Sequence, residues 1–372
     1  MSGTIIYYGG FHLPDKNAAA NRVVSNGKLF EKIGFNTIFL GADYECKSKE
    51  LHKISDNMFE ENHPETSAQW LKNILLFENL KKLSAEYSDI KLIVLYNVPF
   101  ITLFLAKLFF KKQGIQVAYD CTEWTKYTEG SILKKAFKYV DEFLISHFAH
   151  LVADRMIVIS KMMERSYKKT KHILRLPPLV DVSEHIWHQC VNKSEEKFVF
   201  CFAGFPSGNK ECLDKVIDSF FELNKTDAIM NIVGLTKEDF CQIYPHMQEK
   251  ISIISNVNFL GKCTHEETIS NILNCDCYIF IRLPDKRNNA GFPTKFAESY
   301  TCGVPIITTD VSDVSSYAEA DGVIVLDSVQ VSDIVTGMHR IIMQGKRTAE
   351  SKIKTEFDYN EYTDEARRWF VD

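Results

Sequence analysis

The chain has 372 residues, 45% hydrophobic and 25% charged, with ten cysteines and a net charge of −5. That length and composition suit two ordinary cores of about 150 to 200 residues each and exclude a disordered or fibrous chain. The cysteines lie mostly inside apolar runs such as VFCFAG and NCDCYIF without zinc-site spacing, so they read as reduced, buried thiols rather than a disulfide framework or metal site.

The opening run TIIYYGGF lacks the basic flank and cleavage site of a signal peptide, and no apolar stretch approaches 18 residues, so a cytoplasmic location is expected. Charge is uneven along the chain. Residues 1–180 hold 25 Lys and Arg against 19 Asp and Glu, a net of +6, whereas residues 181–372 carry a net of −11. Lys107, Lys111, Lys112, Lys134, Lys135 and Lys138 interleave with Leu and Phe at helical spacing. The pattern suits peripheral contact with anionic lipid at the inner face of the cell membrane, and equally a solvated charged face over ordinary core residues. The net negative charge disfavours a nucleic-acid partner.

In chain order, residues 3–9 form a β-rich run, AAANRVVSNGKLFEKIG has helical spacing and stops at Gly34, and residues 36–41 form a second strand. Strands follow at 91–97, 115–120 and 155–160, each separated from the next by a helical stretch, which predicts a parallel sheet with helices on both faces. In the first loop, GGFHLPDKNAAANRV, Gly9 and Gly10 allow close backbone approach to a ligand, and free amides of a helix starting near Asn17 or Ala18 suit a phosphate. A tight turn is the alternative. His12 and Asn17 are candidates for the acceptor side. AYDCTEWTKY places Asp120 and Glu123 at a strand's carboxyl end as catalytic candidates, Glu123 to position an acceptor hydroxyl or take its proton. Against that stand a capping Asp120 and a surface Glu123.

The double proline Pro177–Pro178 in ILRLPPLVDVSEH suits a rigid connector and predicts the hinge. A second series of strands follows at 197–204, 231–234, 257–261, 277–282, 304–310 and 322–327. The expected division is 1–180, 181–347 and a helical segment 348–372 packing across the boundary. Ligands of open α/β sheets bind at the carboxyl ends of strands, so two such sheets are expected to face a cleft.

The most informative stretch is RLPDKRNNAGFPTKFAESYTCGVPIITTD, Arg282 to Asp310. A strand ends at Arg282, a polar loop reaches Gly291, and a helix begins at Pro293 or Thr294 and closes at Gly303. Such a loop and helix start can hold a diphosphate, while Glu298, a turn further in, can accept from a ribose diol. The bland alternative is a solvent-facing helix.

NNAGFPTKFAESYTCGVPIITTD resembles the donor-site signature of glycosyltransferase family 4, the retaining group 1 glycosyltransferases, whose usual text is close to EGFP, four residues, then EAMACGVPVI. ADRMIVIS, LPPLVD, FCFAGFPSGNK and VNFLGKCTHEETISNILNCDCYIF match further family motifs in order, so the resemblance covers nearly the whole chain. It implies an α/β fold of GT-B architecture, two Rossmann-like domains whose parallel sheets face an interdomain cleft. It also implies transfer of a sugar, with retention and without metal or cofactor, from a nucleotide diphosphate donor to a glycan, lipid-linked or polysaccharide acceptor of the cell envelope. The nucleotide sugar is a substrate, UDP being favoured over GDP.

Carried over, Gly10 and Lys210 would meet the donor phosphates, the amides around Phe292, Pro293 and Thr294 the diphosphate, Glu298 the ribose, and backbone near Val257 to Leu260 the base. Three positions depart from the signature. Ala290 stands where the family has its first glutamate, with Asn288 or Asn289 as substitutes. Phe205 replaces a phosphate-binding arginine, with Arg282 or Arg287 as substitutes. No histidine follows Asp120 where the family often has one. Ala290 and Phe205 favour, as the rival reading, a catalytically silent partner subunit. A sugar-nucleotide epimerase lacks its acid and histidine pattern here, and a nicotinamide oxidoreductase its GxGxxG turn.

Overall fold

Buried β-branched runs alternate with amphipathic helices along this chain. The computed structural model describes residues 2–43, 51–124, 132–168, 170, 172–189, 191, 196–206, 211–223, 227–318, 320, 322–347 and 352–371. They fold as two units, Met1–Val180 with Asp358–Asp372, and Asp181–Phe357.

In the first unit the chain runs β1 (Thr4–Gly9), α1 (Ala18–Lys32), β2 (Asn36–Asp43), β3 (His52–Lys53), β4 (Met58–Asn62), α2 (Ser67–Leu76), α3 (Glu78–Ser84), β5 (Ile90–Tyr96), α4 (Phe100–Lys111), β6 (Gln116–Cys121), α5 (Ile132–Val152), β7 (Arg155–Val158), α6 (Lys161–Ser166) and β8 (Ile173–Arg175). The sheet order is β3-β4-β2-β1-β5-β6-β7-β8, parallel throughout except for β3 against β4. β1 is buried along its whole length, as a central strand covered on both faces must be. Tyr7 on it stacks between Phe30 of α1 and Phe39 of β2, at 6.4 and 6.3 Å. The short strands β3, β4 and β8 have no counterpart in the sequence reading. β4, MFEEN, carries carboxylates where an apolar alternation would be the signal.

The second unit runs β9 (Phe198–Ala203), α7 (Leu213–Leu223), β10 (Ala228–Val233), α8 (Lys237–Ile243), α9 (Gln248–Ile253), β11 (Val257–Phe259), α10 (His265–Leu273), β12 (Cys277–Phe280), α11 (Lys286–Ala290), α12 (Thr294–Thr301), β13 (Ile306–Thr309), β14 (Val323–Leu326) and α13 (Val331–Met343). Its order, β11-β10-β9-β12-β13-β14, is parallel throughout and has the 3-2-1-4-5-6 pattern of a doubly wound nucleotide fold. The direction of winding reverses between β9 and β12, so the loops after those two strands flank the switch point where such sheets take their ligands.

The chain then returns to the first unit as α14 (Thr363–Val371). Trp369 stacks on Phe30 at 6.2 Å and donates from Nε1 to the His172 carbonyl at 3.0 Å, while Arg155 donates to the Trp369 and Phe370 carbonyls. The expected segment 348–372 is therefore not one piece, because residues up to Phe357 stay with the second unit. Pro177 and Pro178 lie three and two residues before the end of the first unit's main segment. Both prolines are buried in the first unit, and Arg22 donates to the Leu176 and Pro177 carbonyls at 2.9 and 3.2 Å, so the division falls after Val180. Cys121, Cys201, Cys212, Cys275, Cys277 and Cys302 are buried free thiols. Among the described residues no helix is long and apolar enough to cross a membrane.

Candidate functional site

The carboxyl end of the second sheet is finished by three glycines with positive φ, one of which lets neighbouring backbones touch. Gly204, Gly234 and Gly261 follow β9, β10 and β11 with φ of +144°, +110° and +68°. A side chain on Gly234 would put its Cβ 2.7 Å from the Gly204 carbonyl oxygen, so only glycine fits. Beyond Gly204 the chain exposes Phe205, and Lys210 lies outside the described residues. The loop resumes at Glu211, whose Oε1 accepts from Arg282 Nη2 at 2.6 Å, and Cys212 N donates to the Ile281 carbonyl at 2.9 Å. Arg282 is thus committed to Glu211, with its guanidinium 4.9 Å from the Phe280 ring centroid. This corrects its assignment as a spare phosphate-binding charge.

After β12 the sequence reading expects an irregular loop, but residues 286–290 form the short helix α11, with Asp285 Oδ1 accepting from Asn288 N at 2.7 Å. Asn289 Oδ1 accepts from Ser312 N at 3.0 Å, and Ser312 Oγ donates to the Gly291 carbonyl. Asn289 and Gly291 therefore brace the loop against the turn after β13. Ala290 is fully buried, so a carboxylate at this position would be desolvated without further change. Asn288 does not substitute freely either: it is buried and its Nδ2 donates to the Leu283 carbonyl at 2.7 Å. Phe292 packs its ring against Phe296, Tyr317 and Phe357 at 6.1, 6.4 and 5.7 Å, which leaves its backbone, not its side chain, for a ligand.

Helix α12 starts at Thr294 with Pro293 at the N-cap and no side chain capping it. Its first amides have no intrahelical acceptor and carry the positive end of the helix dipole. One turn on, Glu298 is 3% exposed. Its Oε2 accepts from Lys295 Nζ at 2.6 Å, and His265 Nε2 lies 3.4 Å from Oε1. Burial by itself would raise this carboxyl group, but Lys295 and His265 outweigh it and hold the pKa at about 2. Arg282, Asn289, Gly291, Phe292, Pro293, Thr294 and Glu298 thus share one strand-loop-helix segment. The sequence reading missed Lys295, which stands in the motif itself three residues before Glu298, and His265, which has no local signal.

In the first unit, Gly10 is exposed just beyond β1, and a Cβ on Gly9 would lie 2.6 Å from the Tyr96 carbonyl oxygen. Asn17 caps α1, its Oδ1 accepting from Ala20 N at 2.9 Å, so that oxygen is engaged in the fold. His12 is 7% exposed, with Nε2 3.7 Å from Asp43 Oδ1, 4.0 Å from Glu60 Oε1 and 3.0 Å from Lys16 Nζ. His12, Asp43 and Glu60 are a group of three potential metal ligands within 4.8 Å of one another, but the Lys16 ammonium already sits against the histidine nitrogen.

Asp120 requires correction as a catalytic candidate. It is fully buried, its Oδ2 accepts from the Tyr7 hydroxyl at 2.6 Å, and its Oδ1 pairs with Arg22 Nη2 at 2.9 Å. With both oxygens held by buried donors it serves as the anchor of a polar network, not as a base for a substrate. Glu123, two residues beyond β6, is exposed.

The lysine-rich region also separates into parts. Lys107 pairs with Asp154, whereas Lys111, Lys112, Lys134 and Lys135 are exposed. On α2, α4 and α5, Leu71, Phe104, Leu108, Tyr139, Val140 and Leu151 are exposed as well.

Two doubly wound parallel sheets in one chain, the second with an uncapped helix start near its switch point, define a two-unit, GT-B-type fold. Solved structures share it across the whole chain. Sucrose-phosphate synthase from Thermosynechococcus elongatus has a TM-score of 0.74 at 13% identity, covering 99% of this chain and 98% of that one. HepE of Anabaena, in complex with UDP and glucose, has a TM-score of 0.68 at 12% identity, covering 99% of each. UDP-GlcNAc 2-epimerase from Methanocaldococcus jannaschii has a TM-score of 0.59 at 11% identity, covering 100% of this chain and 99% of that one. Transferases and an epimerase alike adopt the fold, so it does not by itself decide the chemistry. No curated protein matches by sequence. Residues 183–356, nearly all of the second unit, match the family of glycosyl transferases group 1.

Proposed function

We propose that the protein is a retaining, metal-independent glycosyltransferase of family 4 type, which takes a glycosyl group from a nucleoside diphosphate sugar, UDP before GDP, to a glycan or lipid-linked acceptor in envelope or surface-polysaccharide synthesis. The observation that carries this reading is the uncapped start of α12 beside the switch point, with the ionised Glu298 one turn behind it. Helix amides there stabilise the departing diphosphate, and Glu298 accepts from the ribose diol. In the reaction the bond from the anomeric carbon to the phosphate oxygen breaks, the acceptor oxygen bonds that carbon on the same face, and the acceptor proton passes to the leaving phosphate. Exposed Glu123 positions the acceptor hydroxyl.

UDP and UDP-glucose bound to HepE of Anabaena support a uridine donor here. The basic and apolar surface of α2, α4 and α5 supports contact with an anionic membrane and so a lipid-linked acceptor. Calorimetry with EDTA present tests the donor site: micromolar binding of UDP or GDP, lost in Glu298→Ala and Lys210→Ala, is expected. A second reading, a catalytically silent partner subunit, is favoured by the commitment of Arg282 to Glu211 and the burial of Ala290, since neither then replaces the missing signature residues. Wild type that binds neither nucleotide would establish that reading instead.

A further inference from the structure

Glu298 is held from two directions, and the second hold comes from another helix. His265 is the first residue of α10, placed there by a capping box in which Thr264 Oγ1 accepts from Glu267 N at 3.2 Å and Glu267 Oε2 accepts from Thr264 N at 2.8 Å. Its side chain is 19% exposed, its ring meets Trp187 edge-on at 6.4 Å, and Nε2 is sealed from solvent. That nitrogen has no hydrogen bond of good geometry, and Glu298 Oε1 at 3.4 Å is the acceptor it faces. A buried polar nitrogen left so poorly paired is costly, so a residue of this kind is informative.

Lys295, on the same helix, holds only Oε2. One contact leaves a carboxylate free to turn about its last bond, whereas contacts to both oxygens fix its plane. Each oxygen of an ionised carboxylate has two lone pairs, so with Lys295 bonded to Oε2 and His265 facing Oε1 at 3.4 Å, at least one remains on each oxygen. Two adjacent acceptors suit two adjacent hydroxyls.

We propose that His265 is a positioning residue that fixes the plane of Glu298 for the vicinal diol of the donor ribose, and so sets the preference for a ribonucleotide over its 2′-deoxy form. The inference rests on the nucleotide-site reading above and adds a residue and a specificity to it. A site built to hydrogen-bond a hydroxyl discriminates against the analogue that lacks it, and the discrimination depends on how well the acceptor is aimed.

The test is calorimetric titration of UDP and 2′-deoxy-UDP, or GDP and 2′-deoxy-GDP if guanine is the base, into wild type, His265→Leu and His265→Gln. The Leu variant fills similar volume without a donor, and the Gln variant keeps an N–H at similar reach. In the Leu variant the affinity for the ribonucleotide is expected to fall about tenfold, equivalent to about 1.4 kcal/mol, while that for the 2′-deoxy form barely changes, and Gln should restore most of the loss. Equal loss for both nucleotides would mean that His265 only supports the fold, and unchanged ribonucleotide affinity in both variants would mean that it does nothing for Glu298. Either result overturns the proposal while leaving the donor site standing. Wild type that binds neither nucleotide removes the donor-site reading itself, and this proposal with it.

Discussion

Replacing Glu298 with glutamine should produce a stability loss that depends on pH in a defined way. The carboxyl group is 3% exposed and its pKa is held at about 2, against 4.5 for a free glutamate. Burial opposes this depression, and Lys295 and His265 produce it. Because the folded value lies below the unfolded one, the stabilisation is complete above 4.5 and disappears as pH falls through about 2. The depression from 4.5 to about 2 corresponds to about 3 kcal/mol at neutral pH. Glu298→Gln keeps the side-chain shape but removes the charge, so it should unfold more easily than wild type by about that amount near pH 7, with the gap closing toward pH 2. Urea unfolding followed by tryptophan fluorescence measures this well. Trp187 is the single tryptophan between Asp181 and Phe357, is buried, and stands beside His265. A gap that is the same at pH 7 and pH 3, or absent at pH 7, would refute the reasoning.

Three further outcomes follow from the first unit. Arg22→Met strands the buried Asp120 carboxylate and should cost about 3–5 kcal/mol in denaturant unfolding, whereas adding Asp120→Leu should recover much of it. Asp141 accepts from Phe100 N at 2.7 Å, but its pKa is raised by burial to about 6. Its folded state favours the protonated form, a contribution complete below the unfolded value of 3.8 and lost as pH rises through about 6. Asp141→Asn should therefore melt higher than wild type at pH 8, by about 1–2 kcal/mol after allowance for partial exposure, and like wild type near pH 3.5. Charge reversal at Lys134, Lys135 and Lys138 should abolish sedimentation with anionic vesicles at low salt, and unaltered binding would remove the membrane contact from the proposed function.

Much of the fold was legible because its signals are local. Short buried runs such as TIIYYG and FVFCFA can only be covered strands, amphipathic stretches between them can only cross over on one hand, and a doubly wound sheet follows. The segment from Arg282 to Glu298 was also legible, since an uncapped helix start behind a proline is written in consecutive residues. Other features were decided by contacts between residues far apart in the chain. Asp120 reads as a strand-end carboxylate until Arg22, 98 residues earlier, and Tyr7, 113 residues earlier, close over it. Glu60 belongs to a strand without apolar alternation, and its burial becomes intelligible once Leu13 N donates to it at 2.5 Å. Arg282 looked available until Glu211 met it across the ends of two strands, and His265 acquires a role only where α10 brings it to Glu298. Sequence by itself determined which residues can form covered strands and an uncapped helix start, because propensity and periodicity act over a few residues. The tertiary structure alone decided which charges are spent on one another, because the cost of burying a charge is met by whichever partner the fold carries to it.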